Sequence, residues 1–377
     1  LFICEVMRIK SISDKGSSAF NPWRLKDLNL GRINLIVGQN STGKSRTVRS
    51  IYNWAKIIGG FTKGMVYGHS KLVFENNLKE VIIYTLQQYG KGVEVEELYN
   101  ETNDEIFLQR DKNGTRILSN NNNQYLNISP PKDTMALLAR RDEKEFPLIE
   151  EIIKWAEGVR LFLFGNITPY NPIAKGAVSY ATTEEVQEVF KMMSEFSEKE
   201  IRNVLEGMNF LGYPITQLNI RQVGGSFNEE LRKDDRIRIL EFFEPSFTTF
   251  IHHTEMSQGM FRSLMLLSFV EFLTSREKVS TLIIDDLGEG LDYERATKLG
   301  KLLMKKLEDS NIQLIATSND SFLMDVIPIE HWNILIREGS QVQAVNYQNN
   351  KKIFDYFKLI GLSNFDLLSS DFLYSRL

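Results

Sequence analysis

The chain has 377 residues, of which 42% are apolar and 25% are charged, a composition typical of a folded protein with a large core. It has no apolar run of about 18 residues, and its one cysteine, Cys4, excludes a disulfide framework, so we predict a cytoplasmic protein without a membrane partner. The 45 basic and 49 acidic side chains give a net charge of −4, which does not indicate a nucleic-acid-binding protein.

The N-terminal part predicts two strands followed by a helix. Residues 7–12 alternate apolar and polar side chains, as a half-buried strand does, and residues 13–22 form a polar loop. The apolar run 33–37 predicts a second strand. Between residues 46 and 58, apolar side chains recur every three or four positions, which predicts an amphipathic helix.

The middle of the chain first changes to an alternation of period two. Residues 75–129 therefore predict an antiparallel meander, in which Asn113-Gly114 forms a tight hairpin because both central residues of that turn need positive φ. Helical patterns return afterwards, and Thr183 is predicted to cap one of them. The predicted helices are residues 134–140, 146–156, 183–196 and 198–208.

The last third alternates strands and helices. Such alternation predicts a mostly parallel sheet with helices on both faces, followed by a helical tail. The predicted strands are residues 281–284, 312–316 and 332–336, and the predicted helices are residues 293–307, 321–326, 352–360 and 366–373.

The second strand leads into a phosphate-binding motif, G-x-x-x-x-G-K-[ST]. Glycines let backbone N–H groups surround the phosphates, and the N-terminus of the following helix adds partial positive charge. Lys44 would neutralise the β- and γ-phosphates, and the Ser45 hydroxyl would ligate Mg²⁺. We therefore predict that ATP is bound by Gly38, Gln39, Asn40, Ser41, Thr42, Gly43, Lys44, Ser45 and Arg46.

A second motif ends the strand at residues 281–284 with two carboxylates, Asp285 and Asp286. After a phosphate loop in the same chain, this pattern is typical of a Walker B strand, whose first acid lies on the Mg²⁺ side of the nucleotide. The second acid lies where an attacking water would be polarised. We predict Asp285 as a metal ligand and Asp286 as the general base.

Two further motifs flank the Walker B strand. Met256-Ser257-Gln258-Gly259-Met260 precedes it, and Gly290-Leu291-Asp292 follows it. In this order the motifs resemble the signature motif and D-loop of ABC-type ATPase heads. The resemblance implies that Ser257 and Gly259 of one subunit contact the γ-phosphate held by another, with Asp292 beside it, so that ATP joins two heads. The same residues are compatible with a plain helix start at Ser257 whose apolar side chains pack inward.

Within that class the chain resembles the RecF/SMC-like branch, which includes the ATPase parts of OLD-family nucleases and bacterial defence ATPases. Two departures from the family pattern predict slow hydrolysis. The usual catalytic glutamate is Asp286 here, one methylene shorter, and Asn319 replaces the switch histidine. Glu289 stays open as an alternative base, although strand-end geometry favours Asp286.

The predicted fold is an α/β P-loop ABC-type head with a mostly parallel core sheet, an inserted antiparallel β lobe and a helical lobe. Residues 1–60 and 245–377 would form the nucleotide-binding core, residues 61–129 the β lobe and residues 130–244 the mainly helical lobe. Because only 27 residues follow Asn350 in this sequence, we expect no nuclease domain there. We therefore expect a homodimer that gates a separate effector, a nuclease or toxin, in bacterial anti-phage defence.

Alternative functions stay open at this point. A DNA-repair or chromosome-maintenance head has the same fold with a DNA-binding output, and a nucleotide-gated scaffold would bind ATP without turnover. A transporter subunit is disfavoured, because the long insert and its meander are typical of the other branch. For DNA, the basic residues Arg140, Arg141, Arg232, Lys233, Arg236 and Arg238 are interleaved with acids, which favours a solvated face.

An aromatic pair and a histidine pair are weaker candidates for ligand binding. Phe20 and Trp23 precede the phosphate loop, where packing is favoured over adenine stacking. His252 and His253 are neighbours on an extended run, so we expect them to point to opposite faces and not to share a metal.

Overall fold

The computed structural model describes residues 7–16, 22–62, 68–89, 92–169, 184–223, 237–276, 281–308, 310–370 and 372–373. Several residues discussed above lie outside these ranges: Cys4, Phe20, Thr183, Arg232, Lys233 and Arg236.

The strands form one long sheet and one small sheet. Their bounds are β1 Arg8–Asp14, β2 Arg24–Asn29, β3 Ile33–Val37, β4 Gly68–Glu75, β5 Val81–Tyr89, β6 Gly92–Asn100, β7 Glu105–Asp111, β8 Gly114–Ser119, β9 Gln124–Ile128, β10 Val159–Leu163, β11 Gln217–Val223, β12 Ile237–Phe243, β13 Ile251–His252, β14 Thr281–Asp285, β15 Gln313–Thr317, β16 Trp332–Glu338 and β17 Gln341–Asn346. The long sheet has 14 strands in the order β10-β14-β15-β3-β16-β17-β2-β1-β4-β5-β6-β7-β8-β9.

The long sheet changes character along its width. From β10 to β16 all neighbouring strands are parallel, and from β1 to β9 they are antiparallel. Strands β17 and β2 join the two parts, because β17 pairs antiparallel with β16 and parallel with β2. The predicted parallel core and antiparallel lobe are therefore both present, in one continuous sheet.

Helices cover both faces of the parallel part. They are α1 Lys44–Ile58, α2 Pro147–Glu157, α3 Glu184–Met193, α4 Glu198–Phe210, α5 Gln258–Arg276, α6 Tyr293–Glu308, α7 Ser321–Val326, α8 Lys351–Ile360 and α9 Asp366–Ser369. The core is correspondingly split: Leu282 and Ile284 of β14 pack in one apolar cluster and Ile283 packs in the other. This alternation follows from the two-residue period of a strand. Because both faces of β14 are covered, the strand is buried throughout and its three central residues are all apolar.

Two predicted local elements need correction. The hairpin between β7 and β8 pairs Asp111 with Gly114, so its central residues are Lys112 and Asn113, and positive φ (133°) falls on Gly114 alone of the predicted pair. Residues 134–140 contain a 3₁₀ turn at Ala136–Leu138 instead of an α-helix. The turn is held by buried Glu96, whose carboxylate accepts bonds from the N–H groups of Ala136 and Leu137 at 2.6 and 2.9 Å.

The segment predicted as mainly helical also contains strands. Residues 159–163 form β10, which pairs in parallel with β14 and so belongs to the core sheet. Strands β11 and β12 form the small antiparallel sheet with β13. The division of the chain into a core, a β lobe and a helical lobe stays a prediction.

A buried carboxylate at the start of α4 should make stability depend on pH. Glu200 and Ser197 form a capping box, with Ser197 N and Oγ donating to Glu200 at 2.7 and 2.8 Å. Burial alone would raise the pKa of Glu200, but bonds from Ser275 and Ser197 and the charge of Arg276 lower it from 4.5 to about 2.

Because the folded-state pKa is depressed, the stabilisation should be complete above pH 4.5 and lost as the pH falls towards 2. We expect Glu200→Gln to cost about 1 to 2 kcal/mol at pH 7, with the difference from wild type shrinking below pH 4.5. Denaturant unfolding at several pH values measures this. The control is Glu198→Gln, an exposed acid in the same helical turn; an equal, pH-independent loss in both variants would contradict the assignment.

Candidate functional site

The predicted phosphate loop connects the buried strand β3 to helix α1, which begins at Lys44. Positive φ occurs at Gly38 (153°), Ser41 (67°) and Gly43 (100°). A Cβ on Gly38 would lie 2.8 Å from both the carbonyl oxygen of Leu335 and the hydroxyl of Thr42, so only glycine fits there. The loop is thus a tight backbone cradle at the N-terminus of a 15-residue helix, which suits an anion.

Lys44 points into this cradle. Its side-chain amine donates to the carbonyl oxygens of Gly38 and Gln39 at 2.7 and 3.2 Å, and the residue is 7% exposed. Burial lowers the pKa of the Lys44 ammonium, while the carboxylates of Asp286 and Asp285 act in the opposite direction. A poorly solvated cation in a cradle of backbone groups is suited to bind phosphate oxygens.

The outer side of the loop is held by an aromatic ring and two arginines. Trp23 is 3% exposed, and a Cβ on Gly43 would lie 3.1 Å from its indole nitrogen. The Arg46 guanidinium lies over the Trp23 ring, 4.9 Å from its centroid, and Arg337 donates to the Ser41 carbonyl oxygen at 2.9 Å. Trp23 therefore packs under the loop, in agreement with the packing interpretation.

The two Walker B residues share one hydroxyl group from the neighbouring strand, Asp285 through its carboxylate and Asp286 through its backbone N–H. Asp285 ends β14 and is 2% exposed. The Thr317 hydroxyl, at the end of β15, donates to Asp285 at 2.7 Å and accepts from the backbone N–H of Asp286 at 2.8 Å. Thr317 thus fixes both acids, and the Arg49 guanidinium approaches Asp285 at 3.6 Å from α1.

Asp286 lies in a strongly acidic environment. Burial raises its pKa above the ordinary value, and Asp285 and Glu289 raise it further, against the effects of Lys44 and Arg49. Its φ of 57° is in the left-handed region, which aspartate and asparagine tolerate better than most residues. A half-buried carboxylate with a raised pKa is the property expected of a general base near neutral pH.

Glu289 lies close to the same place from the following turn. It is exposed, and a Cβ on Gly165 would overlap its carboxylate while lying 3.2 Å from Asp286 Cβ. Arg262 of α5 joins these segments, because its guanidinium donates to the carbonyl oxygens of Glu289 (2.8 Å), Ile167 (2.9 Å) and Gly165. Both candidate bases are therefore near each other, and their roles stay predictions.

The signature and D-loop residues contact each other within the chain. Ser257 is exposed, and its hydroxyl accepts from the Met260 N–H at 3.3 Å at the start of α5. A Cβ on Gly259 would lie 3.0 Å from the Leu291 side chain and 3.2 Å from the Gly290 carbonyl oxygen. Asp292 is 51% exposed and accepts from the Arg295 N–H at 3.0 Å, beginning α6.

The remaining candidates from the sequence are a predicted switch residue, a histidine pair and an arginine. Asn319 is exposed, two residues beyond Thr317. His252 and His253 do not point apart, since their ring centroids are 4.3 Å from each other. The reason is that β13 ends at His252 and a 3₁₀ turn begins at His253, so strand alternation does not apply. Arg141 forms a bidentate ion pair with Glu150 at 2.6 and 2.8 Å, as a structural residue would.

The residues around the loop also fit a magnesium ion bound together with phosphate. Within the described residues no cluster of three or more His, Cys, Asp or Glu side chains could hold a metal alone. Mg²⁺ prefers one or two carboxylates and takes its other ligands from water and phosphate. Asp285 would supply the carboxylate ligand and Ser45 a hydroxyl ligand. The Asp285 carboxylate is buried and already oriented by Thr317.

Sequence reasoning missed three residues that organise the site: Thr317, Arg262 and Arg49. Thr317 had a visible signal, since a hydroxyl residue ends the strand that follows Walker B in the chain. Arg262 and Arg49 had none, because their partners are remote in sequence. No helix among the described residues is long and apolar enough to cross a membrane.

Comparison with known proteins agrees with this geometry. Residues 174–325, less than half of the chain, match the family described as "AAA domain, putative AbiEii toxin, Type IV TA system". No curated protein matches the chain in sequence. One similar solved structure is an SMC head bound to the C-winged helix domain of ScpA, 13% identical with a TM-score of 0.53, covering 90% of this chain and 97% of that one.

A second similar structure is an SMC head domain with an extended coiled coil, bound to the C-terminal domain of ScpA and derived from Pyrococcus furiosus. It is 12% identical with a TM-score of 0.52, covering 93% of this chain and 100% of that one. At this identity the similarity shows the fold. The chain therefore has the fold of an SMC head, and the predicted fold and the predicted similarity to SMC-like heads are confirmed.

Proposed function

We propose that this chain binds ATP with Mg²⁺, hydrolyses it slowly, and uses ATP to join two copies face to face. One observation carries the proposal: three neighbouring parallel strands bring the phosphate loop after β3, the acids at the end of β14 and Thr317 at the end of β15 to one edge of the sheet. Ligands of open α/β sheets bind outside the carboxyl ends of the strands. Burial lowers the pKa of Lys44 and the negative charge of Asp286 opposes this, so a cation suited to phosphate lies near a candidate base.

In this proposal the loop and Lys44 bind the phosphates, and Ser45 and Asp285 hold Mg²⁺. The ion, when bound, would neutralise charge on the phosphate oxygens. Asp286 orients the attacking water and accepts its proton, which its raised pKa favours. Turnover is slow because the aspartate side chain is one methylene shorter than the glutamate of related heads, so its reach to the water is less favourable.

The proposal assigns Ser257 and Gly259 to the nucleotide of a second copy. Ser257 is exposed at the start of the 19-residue helix α5, so its hydroxyl and the helix N-terminus are accessible to a phosphate group brought by another molecule. ATP would thus be enclosed between two chains. The assembled state would gate a separate effector, a nuclease or toxin, in defence against phage; the matched family's description names a putative toxin of a toxin–antitoxin system, which supports a toxin as the output.

The assembly step is tested by sizing. We expect Mg-ATP to double the mass of the protein in light scattering, and Ser257→Arg to prevent this by adding bulk and charge at the closed surface. The control is Ser363→Arg, an exposed serine near the C-terminal helix α9, which should dimerise normally. A mass that responds neither to ATP nor to Ser257→Arg would contradict the proposed dimer. If the protein dimerises with ATP but a phosphate-release assay detects no hydrolysis, the chain is a nucleotide-gated scaffold.

A further inference from the structure

Two aromatic side chains lie exposed beside the D-loop. Tyr293, the first residue of α6, is 63% exposed, and Phe322, the second residue of α7, is 40% exposed. Their ring centroids are 5.0 Å apart and the rings are nearly perpendicular, at 87°. Tyr293 directly follows Asp292, and Phe322 lies three residues beyond Asn319. A pair of large rings left in water is characteristic of an interaction surface, where such rings act as anchors.

A chain of contacts connects this pair to the signature motif. Asp292, next to Tyr293, forms an ion pair with Arg295. The Arg295 guanidinium lies over the Tyr213 ring, 4.6 Å from its centroid. A Cβ on Gly259 would lie 3.4 Å from the Tyr213 hydroxyl. The signature residues, the D-loop and the aromatic pair therefore lie close together in the same chain, joined through the buried Tyr213 side chain.

The charges beside Tyr293, at the start of α6, are paired within the chain. Asp292 pairs with Arg295 and Glu294 pairs with Lys298 at 2.6 Å, so the first turns of α6 carry no excess of either sign. A surface with paired charges can face a second copy of itself without like-charge repulsion. In a two-fold dimer the same patch is used by both subunits, which requires this kind of self-compatibility.

We propose that Tyr293 and Phe322 form an apolar anchor that is buried against a second copy of this chain when ATP joins the two. The inference depends on the proposed ATP-dependent dimer and specifies which side chains hold it together. The rings are not part of the phosphate site itself. They should therefore govern the stability of the assembly, and the affinity of a single chain for ATP should be independent of them.

The experiment uses the full chain carrying Asp286→Asn, in which bound ATP should persist, with Mg-ATP present throughout. Tyr293→Ser and Phe322→Ser are each added, and the dimer dissociation constant is measured by analytical ultracentrifugation. We expect each change to weaken the dimer by about 30-fold, the effect typical of a buried aromatic anchor. Binding of a fluorescent ATP analogue to dilute protein should be unchanged, which also shows that the variants are folded.

A matched control is Tyr356→Ser. Tyr356 is 50% exposed and also contacts another ring, that of Phe372, with centroids 5.9 Å apart, but it lies on α8. Tyr356→Ser should leave the dimer dissociation constant unchanged. Tyr293→Phe, which keeps the ring, should retain most of the wild-type dimer affinity. Wild-type dimerisation by both serine variants, in a protein that still dimerises only with ATP, would overturn this inference and leave the proposed function intact. If the Asp286→Asn protein never dimerises with ATP, both fail.

Discussion

Replacing Asp286 with asparagine should leave ATP bound and slow its hydrolysis by about 10²- to 10⁴-fold, the usual loss on removing a general base. Asparagine keeps the size of the side chain and tolerates the φ of 57° at this position, so the turn should fold normally. Because binding survives and turnover does not, the ATP-bound assembly should accumulate. Phosphate release and light scattering on the same samples measure both effects.

The pH dependence provides a second readout of the same residue. Burial and the neighbouring Asp285 and Glu289 raise the pKa of Asp286, and a base is active only when it is deprotonated. The wild-type rate should therefore fall as the pH decreases through the raised pKa of Asp286. In Asp286→Asn this limb of the profile should be missing.

Glu289→Gln is the control that separates the two candidate bases. Glu289 is exposed, and its carboxylate lies over Gly165 in the turn after Walker B. We expect the variant to keep most of the activity. If Glu289→Gln stops turnover while Asp286→Asn does not, Glu289 performs the chemistry, and Asp286 serves to position its neighbours.

The second large effect is expected for Lys44→Ala. Its amine should exchange the carbonyl oxygens of Gly38 and Gln39 for phosphate oxygens when ATP binds. Loss of a charge-assisted contact costs about 1.5 to 3 kcal/mol, which weakens binding by about 10- to 150-fold. Isothermal titration with Mg-ATP measures the affinity.

Stability has to be followed in the same experiment, because Lys44 is 7% exposed and holds two loop carbonyls in the absence of ligand. Lys44→Met keeps the aliphatic stem and should stay folded, with a melting temperature nearer to wild type than that of the alanine variant, while binding ATP as poorly as the alanine variant. Lys56→Ala, a change in the last turn of the same helix, should bind ATP normally. Unchanged ATP affinity in folded Lys44→Met would refute the phosphate-loop assignment.

Much of the fold could be predicted because the signals are local. The strand at Ile33–Val37 and the helix at Ser321–Val326 were predicted with their observed bounds, since the sequence patterns that predict them lie within the elements themselves. Strand β10 was missed, although it is the edge of the core sheet. Its sequence contains the short apolar run 161–164, which is consistent with a buried strand, but the segment lies within the part of the chain predicted as mainly helical.

Most of the candidate site could be named from the sequence because its residues belong to contiguous motifs. The interactions that orient them could not, since Thr317 and Asp285 are 32 positions apart and Arg262 reaches Gly165 across 97 positions. Such contacts depend on the order of strands in the sheet. The sequence pattern indicated parallel strands, but it did not give the order β14-β15-β3.

The central claim, that one nucleotide is shared by two chains, is tested most directly by mixing two impaired variants. Lys44→Ala lacks a working phosphate loop, and Ser257→Ala lacks the signature hydroxyl without adding bulk, so each alone should release phosphate slowly. A mixed dimer would unite the intact loop of one chain with the intact signature of the other in one complete site. We predict that the mixture hydrolyses ATP faster than the sum of the separate variants. A mixture that equals this sum, or a Ser257→Ala protein with full activity by itself, would contradict the account.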